Sequence, residues 1–178
     1  MKREKRTKRR KVKRGRLRLL MNLIGTVLLV VVILLCIPVT VPRIFGYQVY
    51  NVISGSMEPA IPTGSLVYAK SVEPADVETD DVIVFYGSAD TGAIITHRVV
   101  ENHKVSGEFI TKGDANEEND PLPVDYDYLL GEVSLSVPYL GEILAMLVTV
   151  HGKIAVVCMI GAAVIFFIIG SRLQSSES

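Results

Sequence analysis

Residues 93–101 read AIITHRVVE, and their alternation decides how the middle of this chain folds. Side chains along a strand point to alternate faces, which puts Ile95, His97 and Val99 on one face. Ile94, Thr96, Arg98 and Val100 share the other. β-Branched residues suit a pleated, half-buried surface better than a helix. The segment is expected to be a strand that holds an ionisable ring, His97, among β-branched neighbours. A hydrogen-bonded structural histidine is the plain reading of that position, and the pattern by itself favours it.

Working outward, the same kind of run recurs at Ser65–Lys70, Asp81–Tyr86, Glu108–Lys112 and Gly131–Val137. The runs are short and separated by turn clusters: PTG, GSADTG, SG and the polar stretch GDANEENDPLPVDYD. No helix-period run or repeat interrupts them between residues 43 and 142. These 100 residues are the size of a small domain, and a mostly β domain is expected.

The flanks are of another nature. Leu19 to Ile37 is almost entirely Leu, Val and Ile, and no charged residue stands between Arg18 and Arg43. At 1.5 Å rise per residue such a run crosses a bilayer. It is longer than the apolar region of a cleaved signal peptide, and CIPVTVPRIFGY offers no good Ala-x-Ala site. An uncleaved anchor at 19–42 is the expectation. A second uncharged run of 18 residues, Ile154–Ser171, is short for a span. It extends back through Leu147 if Lys153 snorkels to the headgroups; alternatively Ile143–Val150 lies on the membrane surface. Residues 143–171 are therefore expected to be membrane-associated and to include a second transmembrane helix.

A formal charge of zero conceals an asymmetry: residues 1–18 carry twelve Lys or Arg and one acid, and residues 39–153 carry 17 acids and six Lys or Arg. By the positive-inside rule the basic tail stays in the cytoplasm, the acidic domain lies outside it, and two spans return the tail at 172–178 inside. The tail abuts an apolar span, so contact with anionic lipid, not nucleic acid, is its expected role. Cys36 and Cys158 both fall in the proposed spans and form neither a disulfide framework nor a metal set.

The stretch VISGSMEPAIPTGSLVYAK, residues 52–70, sets Ser54-Gly55-Ser56 shortly after the first apolar run. A serine hydroxyl needs an adjacent base to become a nucleophile. The available bases are His97, His103, His151 and four lysines, Lys70, Lys104, Lys112 and Lys153. Of the histidines, His97 lies in the β-branched strand, His103 next to a turn and His151 at the membrane boundary. Asp114 and Asp120, in KGDANEEND, offer carboxylates to orient a histidine. The same stretch fails the calcium-loop pattern, because Asn119 stands where the sixth-position glycine belongs. No metal and no cofactor are expected.

Four ordered segments, SGSMEPAIPTGSLV, DVIVFY, THRVV and KGDAN, resemble the sequence boxes of type I signal peptidases. The resemblance covers roughly Val52 to Val137. Histidine in THRVV, where the common bacterial form has lysine, is similar to the endoplasmic-reticulum type, also found in archaea and some Gram-positive bacteria. It implies an antiparallel β catalytic domain and a membrane-bound serine endopeptidase that cuts signal peptides from secretory preproteins. By motif position Ser56 would be the nucleophile and His97 the general base. Asp114 and Asp120 would be the acidic members, and Ser54 an oxyanion donor. Gly55 would allow the tight turn that projects the Ser56 hydroxyl. The resemblance does not tell which aspartate faces His97. The rival readings are a non-catalytic anchored β domain that binds or assembles partners, a self-cleaving serine peptidase, and a DNA-binding membrane regulator.

Overall fold

The computed structural model describes residues 2–87 and 92–175. The middle of the GSADTG turn, 88–91, and the end of the C-terminal tail, 176–178, lie outside the described residues. The chain forms two compact units, one of residues 1–38 with 147–178 and the other of residues 39–146.

The first unit holds most of α1 (Lys2–Ile44) and α3 (Val150–Ser175). Lys13–Ile44 and Val150–Leu173 are long and apolar enough to cross a membrane. Their side chains are largely exposed, as expected of helices whose apolar surface is not used for a protein core. The two helices approach at small residues. A Cβ on Gly25 would lie 3.1 Å from the Ala163 carbonyl oxygen, and one on Gly170 would lie 2.2 Å from Asn22 Oδ1. The second helix does not run back through Leu147. A separate helix, α2 (Leu140–Val148), ends there, and Thr149 caps α3, its Oγ1 accepting from the Gly152 amide at 3.1 Å. A side-chain acceptor for an otherwise unpaired first-turn amide makes Thr149 a helix start rather than a helix interior.

The second unit is a seven-stranded antiparallel sheet in the order β1-β2-β7-β3-β4-β5-β6. The strands are β1 (Tyr47–Asn51), β2 (Leu66–Lys70), β3 (Val82–Tyr86), β4 (Ile94–His103), β5 (Glu108–Lys112), β6 (Val124–Asp125) and β7 (Leu129–Val137). The five expected strands are all present. β1 and β6 add to the ends of the sheet, and their five and two residues are too short and mixed to show alternation.

β3 explains why the sheet is buried on both sides. Its residues VIVFY are apolar throughout; Val84 enters one core cluster with Val52, Met57, Ile61, Val67 and Ala69. Ile83 and Phe85 enter the other, with Val77, Val99, Phe109 and Val124. A strand covered on one side would alternate with polar residues, and this central one does not. Register carries His97 into place. It lies opposite Ile83, and Val99 lies opposite Thr111, so His97, Val99 and Thr111 share the face of the second cluster. The expected alternation of β4 holds: His97 and Val99 are buried, and Arg98 between them is only partly so.

Candidate active site

The site is assembled from three short pieces of chain. The first is the Ser54–Ser56 turn. Glu58 N donates to Gly55 O at 3.0 Å and Ile61 N to Met57 O at 2.8 Å, which closes the backbone just after the serines. Met57 is fully buried in the first cluster. Burial of such a side chain is worth about 1.5–3 kcal/mol, so Met57 pins the turn to the core while Ser54 stays exposed and Ser56 half-exposed. Gly55 does not adopt a left-handed conformation, and a Cβ there would meet its nearest atom, Glu58 Cδ, at an ordinary 3.4 Å. The turn therefore owes its shape to Met57 and these hydrogen bonds, not to a special φ at Gly55. Ser54 Oγ and Ser56 Oγ are 3.3 Å apart.

The second piece is β4. His97 is 8% exposed, its ring edge-on to Phe85 with centroids 6.4 Å apart. Its Nδ1 lies 2.6 Å from Asp120 Oδ2. A carboxylate can only accept, so Nδ1 carries the proton and Nε2 of the neutral ring keeps its lone pair. Arg98, the next residue, turns to the opposite face. It forks onto Asp114, Nε to Oδ1 at 2.7 Å and Nη2 to Oδ2 at 2.6 Å, and Nη1 donates to Asp80 O at 2.7 Å. The hydrogen bonds to Asp114 push the guanidinium above its already high range, so Arg98 stays charged.

The third piece, residues 111–120, joins the other two. Ala115 N donates to Ser56 O at 2.9 Å, and Asp120 N donates to Thr111 O at 2.8 Å. Gly113 is buried at the junction. A Cβ there would come within 2.6 Å of Ser56 O and 3.1 Å of His97 Nε2, so the serine turn and the imidazole approach each other over a residue that has no side chain. Sequence reasoning passed over Gly113, although its place immediately before Asp114 was visible.

Ser54, Ser56 and His97 line one cleft of about 580 Å³, with Tyr50 and Ile53 among its other walls. Burial, and then the nearby Tyr86, push the Tyr50 phenol up, so it remains protonated. Among the described residues no lysine lines this cleft, so none of Lys70, Lys104 and Lys112 competes with His97 there. His103 is exposed and paired with Glu101 at 2.7 Å. Of the sequence-predicted residues, Ser54, Ser56, His97 and Asp120 come together, while Asp114 is held by Arg98 on the other side of β4. Chemically the arrangement offers two hydroxyls, an imidazole with a free nitrogen, and a carboxylate that fixes the ring. Among the described residues no three His, Cys, Asp or Glu side chains group to hold a metal.

Comparison with known proteins supplies the relatives. The family model described as signal peptidase, peptidase S26, matches residues 23–103. Signal peptidase I W of Bacillus subtilis is 37% identical over 118 residues, 58% of this chain and 61% of that protein. The signal peptidase complex catalytic subunit SEC11C of dog is 38% identical over 72 residues, 39% of this chain and 37% of that protein. The corresponding subunit SEC11 of Ogataea parapolymorpha is 32% identical over 133 residues, 62% of this chain and 73% of its own length. The chain thus spans less than two thirds of the Bacillus and canine relatives and nearly three quarters of the yeast one.

Proposed function

The chain belongs to the signal peptidase family, peptidase S26, and on that footing we propose that it is a membrane-bound serine endopeptidase that removes N-terminal signal peptides from exported preproteins. One observation carries the reading: a histidine fixed at 2.6 Å by Asp120 lines the same cleft as Ser54 and Ser56.

Ser56 Oγ is the nucleophile. Attack requires its hydroxyl to turn from Ser54 toward His97, which accepts the proton at Nε2 as Oγ bonds to the scissile carbonyl carbon. Asp120 holds the resulting imidazolium through Nδ1–H. The tetrahedral oxyanion receives the Ser56 backbone N–H and the Ser54 hydroxyl, donors set before the charge develops. Collapse breaks the C–N bond, and His97 returns its proton to the departing amine, the new N-terminus of the mature protein. His97 then takes a proton from water, whose oxygen attacks the ester. The signal peptide leaves as a carboxylic acid and Ser56 is regenerated. No step needs a cofactor.

Two spans and the basic tail support a placement in the cell membrane or the endoplasmic-reticulum membrane, with both chain ends cytoplasmic and residues 43–142 on the far side. Secretory preproteins are the substrates and membrane lipid the surrounding partner. The test is incubation of the full chain in detergent with a preprotein. Wild type should release mature protein, and Ser56→Ala should lose about 10⁶-fold in kcat, below detection in most assays. Equal turnover by the two proteins would retire Ser56 as the nucleophile.

A further inference from the structure

Thr111 is fully buried, yet it carries a hydroxyl that the peptidase chemistry does not use. Its Oγ1 donates to Asp120 Oδ2 at 2.6 Å, the same oxygen that receives His97 Nδ1–H at 2.6 Å. Its carbonyl oxygen accepts the Asp120 amide at 2.8 Å. Asp120 is thereby held at both its backbone and its carboxylate by one residue of β5, and β5 pairs with the strand that carries His97. We propose that Thr111 is a positioning residue: its hydroxyl sets the carboxylate of Asp120, and through it the ring of His97. The inference rests on the peptidase reading above.

The physical case has three parts. A carboxylate at the end of a polar loop has a free χ1 and χ2, and one hydrogen bond to a rotating ring does not fix either. A second donor from a rigid strand fixes Oδ2 at a point, so the Nδ1–H direction, and with it the Nε2 lone pair, has one orientation. A buried hydroxyl also has to be satisfied, and Asp120 is the acceptor recorded for it, so the bond cannot be given up to water without cost. A threonine serving only as core filler opposite Val99 would be replaceable by valine, which has the same shape. A positioning threonine would not.

The experiment uses the full chain in detergent, the same preprotein, and the variants Thr111→Val and Thr111→Ser. Thr111→Val keeps the volume and removes the donor. It should lower kcat about 10–100-fold while KM stays within about twofold, because a hydrogen bond to a carboxylate is lost at a buried residue that does not line the cleft. Thr111→Ser keeps the donor and should recover kcat to within about threefold of wild type, although it removes a buried methyl group. Should Thr111→Val fail to fold, as judged by gel filtration, Thr111→Cys replaces it, since a thiol is only a weak donor. Its kcat must then fall below that of Thr111→Ser. Full activity in the valine variant, or equal losses in the valine and serine variants, overturns the inference while leaving Ser56 and His97 in their roles. Failure of wild type itself to cut the preprotein overturns the peptidase reading and this inference with it.

Discussion

His97 and Arg98 are neighbours on β4, and each takes a carboxylate from the same ten-residue stretch, 111–120, on opposite faces of the sheet. The Arg98–Asp114 pair is a two-bond fork, with side chains 32% and 17% exposed. It ties the loop to β4 and to the Asp80 carbonyl. The His97–Asp120 pair joins a buried ring to a carboxylate that also accepts from Thr111. One pair ties the loop to the far face of β4, and the other backs the ring that lines the cleft. The difference follows from strand parity. Adjacent residues of a strand face opposite ways, so one loop can supply a structural anchor and a functional partner without the two competing.

The strongest way to break this comparison is to neutralise each carboxylate in turn. Asp120→Asn should lower kcat by about 10⁴-fold, as loss of the orienting carboxylate does in a serine–histidine site, with little change in thermal stability. Asp114→Asn should do the reverse: a clear fall in Tm and a much smaller loss of kcat, because it leaves Arg98 short of its partner away from the cleft. Paired kinetics and thermal melts decide it. A 10⁴-fold kcat loss in Asp114→Asn without a Tm change would erase the division of labour.

Gly113 is where the two halves of the loop meet the serine turn. Gly113→Ala puts a methyl group 2.6 Å from Ser56 O, a backbone atom, so the turn has to shift relative to His97. A displacement on the order of 1 Å at the reacting groups costs about 10²-fold. The expected result is that loss in kcat/KM with the Arg98–Asp114 anchor intact, seen as a Tm fall smaller than that of Asp114→Asn.

A third carboxylate sharpens the contrast with the smallest effect. Burial, and then Asp81 and Glu78, hold the Glu132 carboxyl above its usual range. The folded chain therefore binds its proton more tightly than the unfolded chain does, and stability falls as pH rises through that raised range. Glu132→Gln removes the charge that causes the fall. Its Tm should exceed that of wild type by about 1–3 °C at pH 7, with the gain vanishing below about pH 4, where Glu132 is protonated in both states. Melts at the two pH values check the sign; a lower Tm for the variant at pH 7 would show that Glu132 is paired rather than crowded.

The sequence by itself determined the parts of this protein whose cause is local. Length and lack of charge marked the apolar part of α1 and α3, because a chain of apolar side chains has few other places to go. β-Branched runs marked five strands, and a period of two placed His97 on a buried face and Arg98 on the other. The order of four short segments pointed to the family. The tertiary structure decided what spacing could not. Asp114 and Asp120 lie beyond the end of β5, where parity no longer fixes a face, so only the β4–β5 register and the Gly113 crossing sent one to Arg98 and the other to His97. Thr111 reads in the sequence as one more β-branched strand residue, and its hydroxyl gained meaning only when Asp120 folded back over it. Thr149 likewise became a cap, and not a helix interior, only where the chain leaves α2 for α3. Local patterns choose elements and faces; which polar groups meet is settled by contacts between residues far apart in the chain.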